Sequence, residues 1–332
     1  MKRITTPLDC DTTPKNRDNP TLATALDTPT RNLSAQSVAP QSVPLADLYR
    51  TPYRLSLPRG ESAPLVFALP HSGRAYPDSF IASAALPLTE LRRSEDAYID
   101  LLFDAARMAA PMIMARFPRA FVDVNRSVGE LDPAMFDGPL DQPMLHTPHT
   151  AAGLGVIPRI VREGVEIYPH KLLPLEAHER LERLYHPYHV ALAALVARAR
   201  SLFPHVVVID CHSMPSGPHL ADIVIGDRHG HAAPERLVRL FETSFTAEGF
   251  TVARNQPYAG GYTTACYGQQ DEGSFAIQIE VNRALYMKEE SVEPNSAFEQ
   301  VRCRITNALQ QILRRDIAAL CESGGKNRLA AE

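Results

Sequence analysis

Cysteine is scarce in this chain of 332 residues, and no C-x-x-C pair occurs. Cys10, Cys211, Cys266, Cys303 and Cys321 are odd in number and widely separated, which argues against both a disulfide framework and a cysteine-rich zinc site. Long apolar runs are missing too. None approaches the roughly 20 residues needed to cross a bilayer, and Met1-Lys2-Arg3 leads into Ile-Thr-Thr-Pro rather than an apolar signal stretch. A cytoplasmic protein without a membrane partner is expected. Lysine and arginine form no basic stripe, and the net charge is -4, so no nucleic-acid partner is expected. The phosphate-cradling G-x-x-x-x-G-K-[ST] loop, a strand-linked G-x-G-x-x-G and the G-x-S-x-G nucleophile elbow are all absent, which leaves nucleotide chemistry and a serine nucleophile without support.

What is present is an ordinary globular composition, 45% hydrophobic and 22% charged. Residues 1–45 are rich in Pro, Thr, Ser, Asn and Asp and show no period, so a disordered extension is expected there. A single catalytic domain is expected over 46–322, with a polar tail over 323–332 beginning at the helix stop Gly324-Gly325. Apolar runs at 65–69, 112–115, 121–124, 206–209, 222–225 and 275–279 read as strands. Helical periodicity marks 88–109, 172–201, 234–248 and 296–322. The alternation predicts an α/β fold with a mixed, mainly parallel sheet and helices on both faces. Between Gly129 and Glu166 the chain is proline-rich and loop-like, the profile of a pocket wall, a lid or a plain surface insertion.

In open α/β sheets ligands bind beyond the carboxyl ends of the strands, so the residues that follow each apolar run come first. These are Pro70-His71-Ser72-Gly73, Asn125-Arg126, Asp210-Cys211-His212-Ser213 and Glu280-Val281-Asn282-Arg283. One histidine of the chain's 12 is weak evidence, but two at the ends of separate strands suit a hydrolytic metal centre. Such a centre uses three His or carboxylate ligands and keeps a position open. The third ligand is then an acid, and Asp78, Glu95 and Asp96 follow His71. Ser94, Glu95 and Asp96 read equally well as helix-capping residues.

Glu280 closes an apolar strand, where a carboxylate is costly unless paired or in use. It suits a general base for a metal-activated water that returns the proton to the leaving amine, or a structural partner of Arg283 or Arg126. Either arginine also suits a substrate carboxylate, through its planar fork. Gly260-Gly261 allows close backbone approach, and Tyr262 could donate to an oxyanion. Cys211 reads most simply as packing material, because neighbours on a strand point to opposite faces.

Together, Pro70-His71-Ser72-Gly73, Glu95-Asp96-Ala97-Tyr98-Ile99-Asp100, Phe121-Val122-Asp123-Val124-Asn125-Arg126, Asp210-Cys211-His212-Ser213, Ala259-Gly260-Gly261-Tyr262-Thr263 and Gln278-Ile279-Glu280-Val281-Asn282-Arg283 resemble the N-formylglutamate amidohydrolase (deformylase) family, in order from about residue 60 to 290. The resemblance implies a phosphorylase/hydrolase-like fold related to zinc carboxypeptidases, one zinc ion, and hydrolysis of a small N-acyl amino acid such as N-formylglutamate. It implies His71, Asp96 and His212 as metal ligands and Glu280 as the base, with Asn125 and Arg126 binding substrate or polarising its carbonyl. Arg74 stands where an H-x-x-E pair starting at His71 would need glutamate. Two other readings stay in play: a carboxypeptidase-like metallopeptidase, and a non-catalytic protein that captures a small carboxylate.

Overall fold

The computed structural model describes residues 39–58, 62–140 and 143–321. Its centre is a seven-stranded sheet made of β1 (Tyr53–Ser56), β2 (Leu65–Leu69), β3 (Met112–Ala115), β4 (Val206–Met214), β5 (Ile223–Gly226), β6 (Val252–Arg254) and β7 (Ser274–Asn282), in the order β6-β5-β7-β4-β2-β3-β1. Four adjacent inner strands, β7, β4, β2 and β3, run parallel to one another. Against them β1 is antiparallel to β3, and β5 is antiparallel to β7. The carboxyl ends of the parallel strands therefore share one edge, as the sequence pattern predicts.

Strand alternation divides the core in two. Leu65, Phe67, Leu69, Val207, Ile209 and Cys211 face one cluster, whereas Val66, Ala68, Val206 and Val208 face the other. Both faces are fully covered, which is why these runs are unbroken and apolar. The second face is covered by α1 (His186–Leu202), through Tyr188, Leu192 and Leu195. The first is covered by α2 (Glu235–Ala247) and by a C-terminal helix, Phe298–Leu313. In α2, Leu237, Val238, Phe241 and Phe245 are buried at helical spacing, and Gly249 in the left-handed region closes the turn that follows. Between these two helices in the chain lies α3 (Tyr262–Tyr267), and the C-terminal helix is α4. Among the described residues no helix is long and apolar enough to cross a membrane.

Several predicted elements differ. The stretch 88–109 is not one helix but short helical turns over Leu88–Leu91, Arg92–Ser94, Ile99–Leu102 and Asp104–Met108. Tyr98 at φ 67° forces the break, because a helix of L-residues cannot continue through that conformation. The run 121–124 is buried yet forms no strand. Pro118 O accepts from Phe121 N and Val122 N, so the chain turns there and packs its apolar residues sideways. The 296–322 stretch breaks after Leu313, and a short helix follows over Ile317–Cys321. Gln41–Val43, placed by sequence in the N-terminal extension, is a short strand parallel to Ala75–Pro77. Residues 1–38 and the Gly324-Gly325 stop lie outside the described residues.

Candidate active site

Strand register builds the site. On the second face, apolar residues give way toward the carboxyl edge to Asp210 and His212 on β4, with Gln278 and Glu280 directly beside them on β7. The opposite face stays apolar through Cys211, Ile279 and Val281. Burial raises the Cys211 thiol well above its ordinary range, as befits packing rather than chemistry.

Just beyond β2, His71 turns its Nδ1 to within 3.1 Å of His212 Nδ1. Asp96 Oδ2 completes the triangle, 2.9 Å from His212 Nδ1 and 3.3 Å from His71 Nδ1. All three residues are buried. Asp96 reaches this point from the turn before Tyr98, where its backbone N–H donates to His71 O at 3.0 Å. Of the other acids considered, Glu95 is held by Tyr76 and Arg92, and Asp78 accepts from Ser42 at an exposed position.

The outer nitrogens are also engaged. His71 Nε2 is 2.7 Å from Asp123 Oδ1, and His212 Nε2 is 2.9 Å from Asp210 Oδ2. An Nε2–H donating to each carboxylate leaves both Nδ1 lone pairs facing the Asp96 oxygen. Two imidazole nitrogens and a carboxylate oxygen meeting in one buried place form a group that could hold a metal ion. Shared protons supply positive charge there by another route. Burial alone would raise Asp96, but His212 and His71 hold it well below the usual carboxylate range. Burial would lower His212, but Asp210 and Asp96 pull it well above ordinary imidazole.

The far oxygen of Asp96 is fixed by Arg283 Nη2 at 3.0 Å and by Ser213 Oγ at 3.1 Å. Asn125 is locked as well: Oδ1 accepts from Thr263 N at 2.8 Å, and Nδ2 donates to Asp210 Oδ2 at 3.3 Å. Glu280 accepts from Gln278 Nε2 at 2.9 Å, and Gln278 in turn accepts from Gly261 N at 2.8 Å. Burial, with the charges of Asp96 and Asp210, pushes Glu280 up to about 7 against the offset from His212 and Arg119.

His71, Asp96, Asn125, His212, Gln278 and Glu280 line a cavity of about 440 Å³. Arg119 and Arg126 both approach the single carboxylate of Asp123, at 2.9 and 3.9 Å. Burial and the charge of Arg119 together lower Arg126, the sign of a guanidinium short of negative charge. The 129–166 segment supplies a wall through Leu154, Pro158, Ile160 and Val161. Tyr262 packs its ring edge-on to His189 at 5.4 Å, and it is the glycines before it, Gly260 and Gly261, that line the cavity.

Known proteins resemble this chain over the same region. A family model described as N-formylglutamate amidohydrolase matches residues 63–287. The chain belongs to that family. Among curated members, the N-formylglutamate deformylase of Pseudomonas aeruginosa is 30% identical over 251 residues, 71% of this chain and 86% of the relative. That of Pseudomonas putida is 27% identical over 260 residues, 75% of this chain and 91% of the relative. The crystal structure of an N-formylglutamate amidohydrolase from Ralstonia eutropha superposes with TM-score 0.75 at 38% identity, covering 81% of this chain and 97% of that one. A gene product of Agrobacterium tumefaciens shares the fold at TM-score 0.54 and 19% identity, over 80% of this chain and 98% of that one.

Within this N-formylglutamate amidohydrolase fold, sequence reasoning passed over Asp123, Asp210, Arg119 and Gln278. Each acid had a signal, since a carboxylate inside an apolar run is costly to bury without a partner.

Proposed function

We propose that the chain is a metal-dependent amidohydrolase that cleaves N-formylglutamate or a closely similar N-acyl amino acid. The observation that carries this is the convergence of His71 Nδ1, His212 Nδ1 and Asp96 Oδ2, with ligand atoms within 4.8 Å of one another, beside Glu280 and an arginine-lined cavity. The three ligand atoms lie 2.9, 3.1 and 3.3 Å apart, near enough together for His71, Asp96 and His212 to hold one ion. Two imidazoles and a carboxylate, the imidazoles each backed by a carboxylate, fit zinc by donor chemistry. Bound there, the ion supplies Lewis acidity to the amide carbonyl and to the attacking water.

The chain's residues do the rest. Glu280 takes a proton from water as the oxygen bonds to the acyl carbon. It returns that proton to the amide nitrogen as the C–N bond breaks, leaving a carboxylic acid and a free amine. Arg126, with Arg119 beside it, binds the substrate carboxylate, and Asn125 keeps the Asp210–His212 pair aligned. Arg283 lies at the cavity edge, where it orients Asp96. A protein that only captured carboxylates would leave Glu280 paired to arginine, but Arg126 and Arg283 turn to Asp123 and Asp96 instead.

The purified protein, assayed with N-formyl and N-acetyl amino acids, releases acid and free amino acid and holds about one equivalent of zinc. Glu280→Gln keeps the zinc and the fold while kcat falls roughly 10²- to 10⁴-fold. Full activity in that variant removes Glu280 as the base, and a metal-free active enzyme removes the metal assignment.

A further inference from the structure

The helix that covers the second face is not regular. Pro174–Arg180 is α-helical, Leu181–Tyr185 forms a wider π turn, and α1 follows without interruption. Such turns insert a residue and concentrate at functional places. Here the insertion sets the register of Tyr185 and His189, which lie one turn apart with rings 4.5 Å apart.

Both residues reach the same short loop. Tyr185 OH donates to Arg126 O at 2.8 Å, and His189 Nε2 donates to Val124 O at 2.9 Å. Those carbonyls flank Asn125, in a segment that belongs to no strand or helix. Without these donors they would lack a partner from regular structure, which buried backbone avoids. The other sides of the two rings are held too. The Tyr185 hydroxyl meets Tyr262, and His189 Nδ1 faces Tyr267 OH at 3.2 Å. Burial lowers His189 to about 4, so its ring is neutral and carries one ring proton for Val124.

We propose that Tyr185 and His189 are positioning residues that act through the Val124–Arg126 backbone, fixing Asn125 against Asp210 and aiming Arg126 into the cavity. The assignment rests on the reading of Arg126 as the substrate-carboxylate group. A loop tied at both carbonyls presents Arg126 in one orientation, whereas a loop freed at one of them samples several, and binding weakens by the fraction lost.

The test compares Tyr185→Phe, His189→Gln and His189→Leu with the parent enzyme on N-formylglutamate. Melting temperature and zinc content are followed in parallel. Loss of one neutral hydrogen bond corresponds to about five-fold, so Tyr185→Phe raises KM by about that factor with kcat within two-fold. His189→Leu lowers kcat/KM further, and His189→Gln, whose amide N–H can reach toward Val124 O, recovers most of the loss. In an Arg126→Ala background Tyr185→Phe has no additional effect on KM, because coupled residues are not additive. A lower melting temperature with unchanged KM, or full additivity with Arg126→Ala, overturns the proposal. Absence of any hydrolysis by the parent enzyme instead removes the functional reading beneath it.

Discussion

Asp96 performs two tasks with one carboxylate. Its Oδ2 faces the paired histidines while Oδ1 is tied to Arg283 and Ser213, so the oxygen that faces the histidines is held in one orientation. His189 shows the opposite economy, a titratable ring kept neutral by its surroundings: Tyr185, Tyr262 and Tyr267 pack against it and His186 adds a like charge. Its pKa falls from 6.5 to about 4 on folding, so between those values the unfolded chain binds the extra proton. The stability it contributes is complete above pH 6.5 and is lost as pH falls toward 4, on the order of 3 kcal/mol. Thermal melts from pH 7.5 to 4.5 show that decline, and His189→Gln flattens it. An unchanged slope in the variant assigns the decline elsewhere. At this scale the sequence was readable where a polar residue closed an apolar run, which pointed to His71, His212 and Glu280. For Asp123 and Asp210 it signalled only a buried carboxylate in need of a partner, because their roles are defined by imidazole nitrogens distant in the chain.

Close approach of segments at the carboxyl edge sets a harder limit than any side chain. A Cβ on Gly73 would come 2.0 Å from Phe117 O, a backbone atom that cannot swing aside. Gly73 lies two residues after His71, and Phe117 leads into the turn that carries Arg119 and Asp123, so the contact fixes the spacing between His71 and its partner Asp123. Gly73→Ala should cost about 2 kcal/mol or more through forced backbone displacement and reduce zinc occupancy. Melting temperature and metal content measure both, and a variant with native values of each would show that the edge can relax. The inner strands and α2 were legible because burial on both faces leaves continuous apolar runs and α2 keeps one apolar stripe. The short edge strands Tyr53–Ser56 and Val252–Arg254 were not, since so few residues carry no period of their own. The 88–109 helix was read too long because local periodicity does not reveal that Asp96 must turn back to His71.

For the whole molecule, an ion that binds only the folded chain adds RT ln(1 + [L]/Kd) to its stability, about 2.7 kcal/mol at a hundred-fold excess over Kd. Removing metal with a chelator lowers the melting temperature by several degrees, and zinc restores it. A melting temperature indifferent to both excludes a tight site in the native state. The fold class was legible from the alternation of strands and helices, and the arrangement that matters most follows from it. His212 and Glu280 are direct neighbours across β4 and β7, two nine-residue strands buried from end to end. One residue deleted from the first half of β7 would exchange Glu280 for Val281 on the working face and carry the carboxylate into the apolar core. Length changes in this family should therefore be barred from these strands and collect instead in segments such as 129–166, where cavity size can vary while the chemistry stays in register.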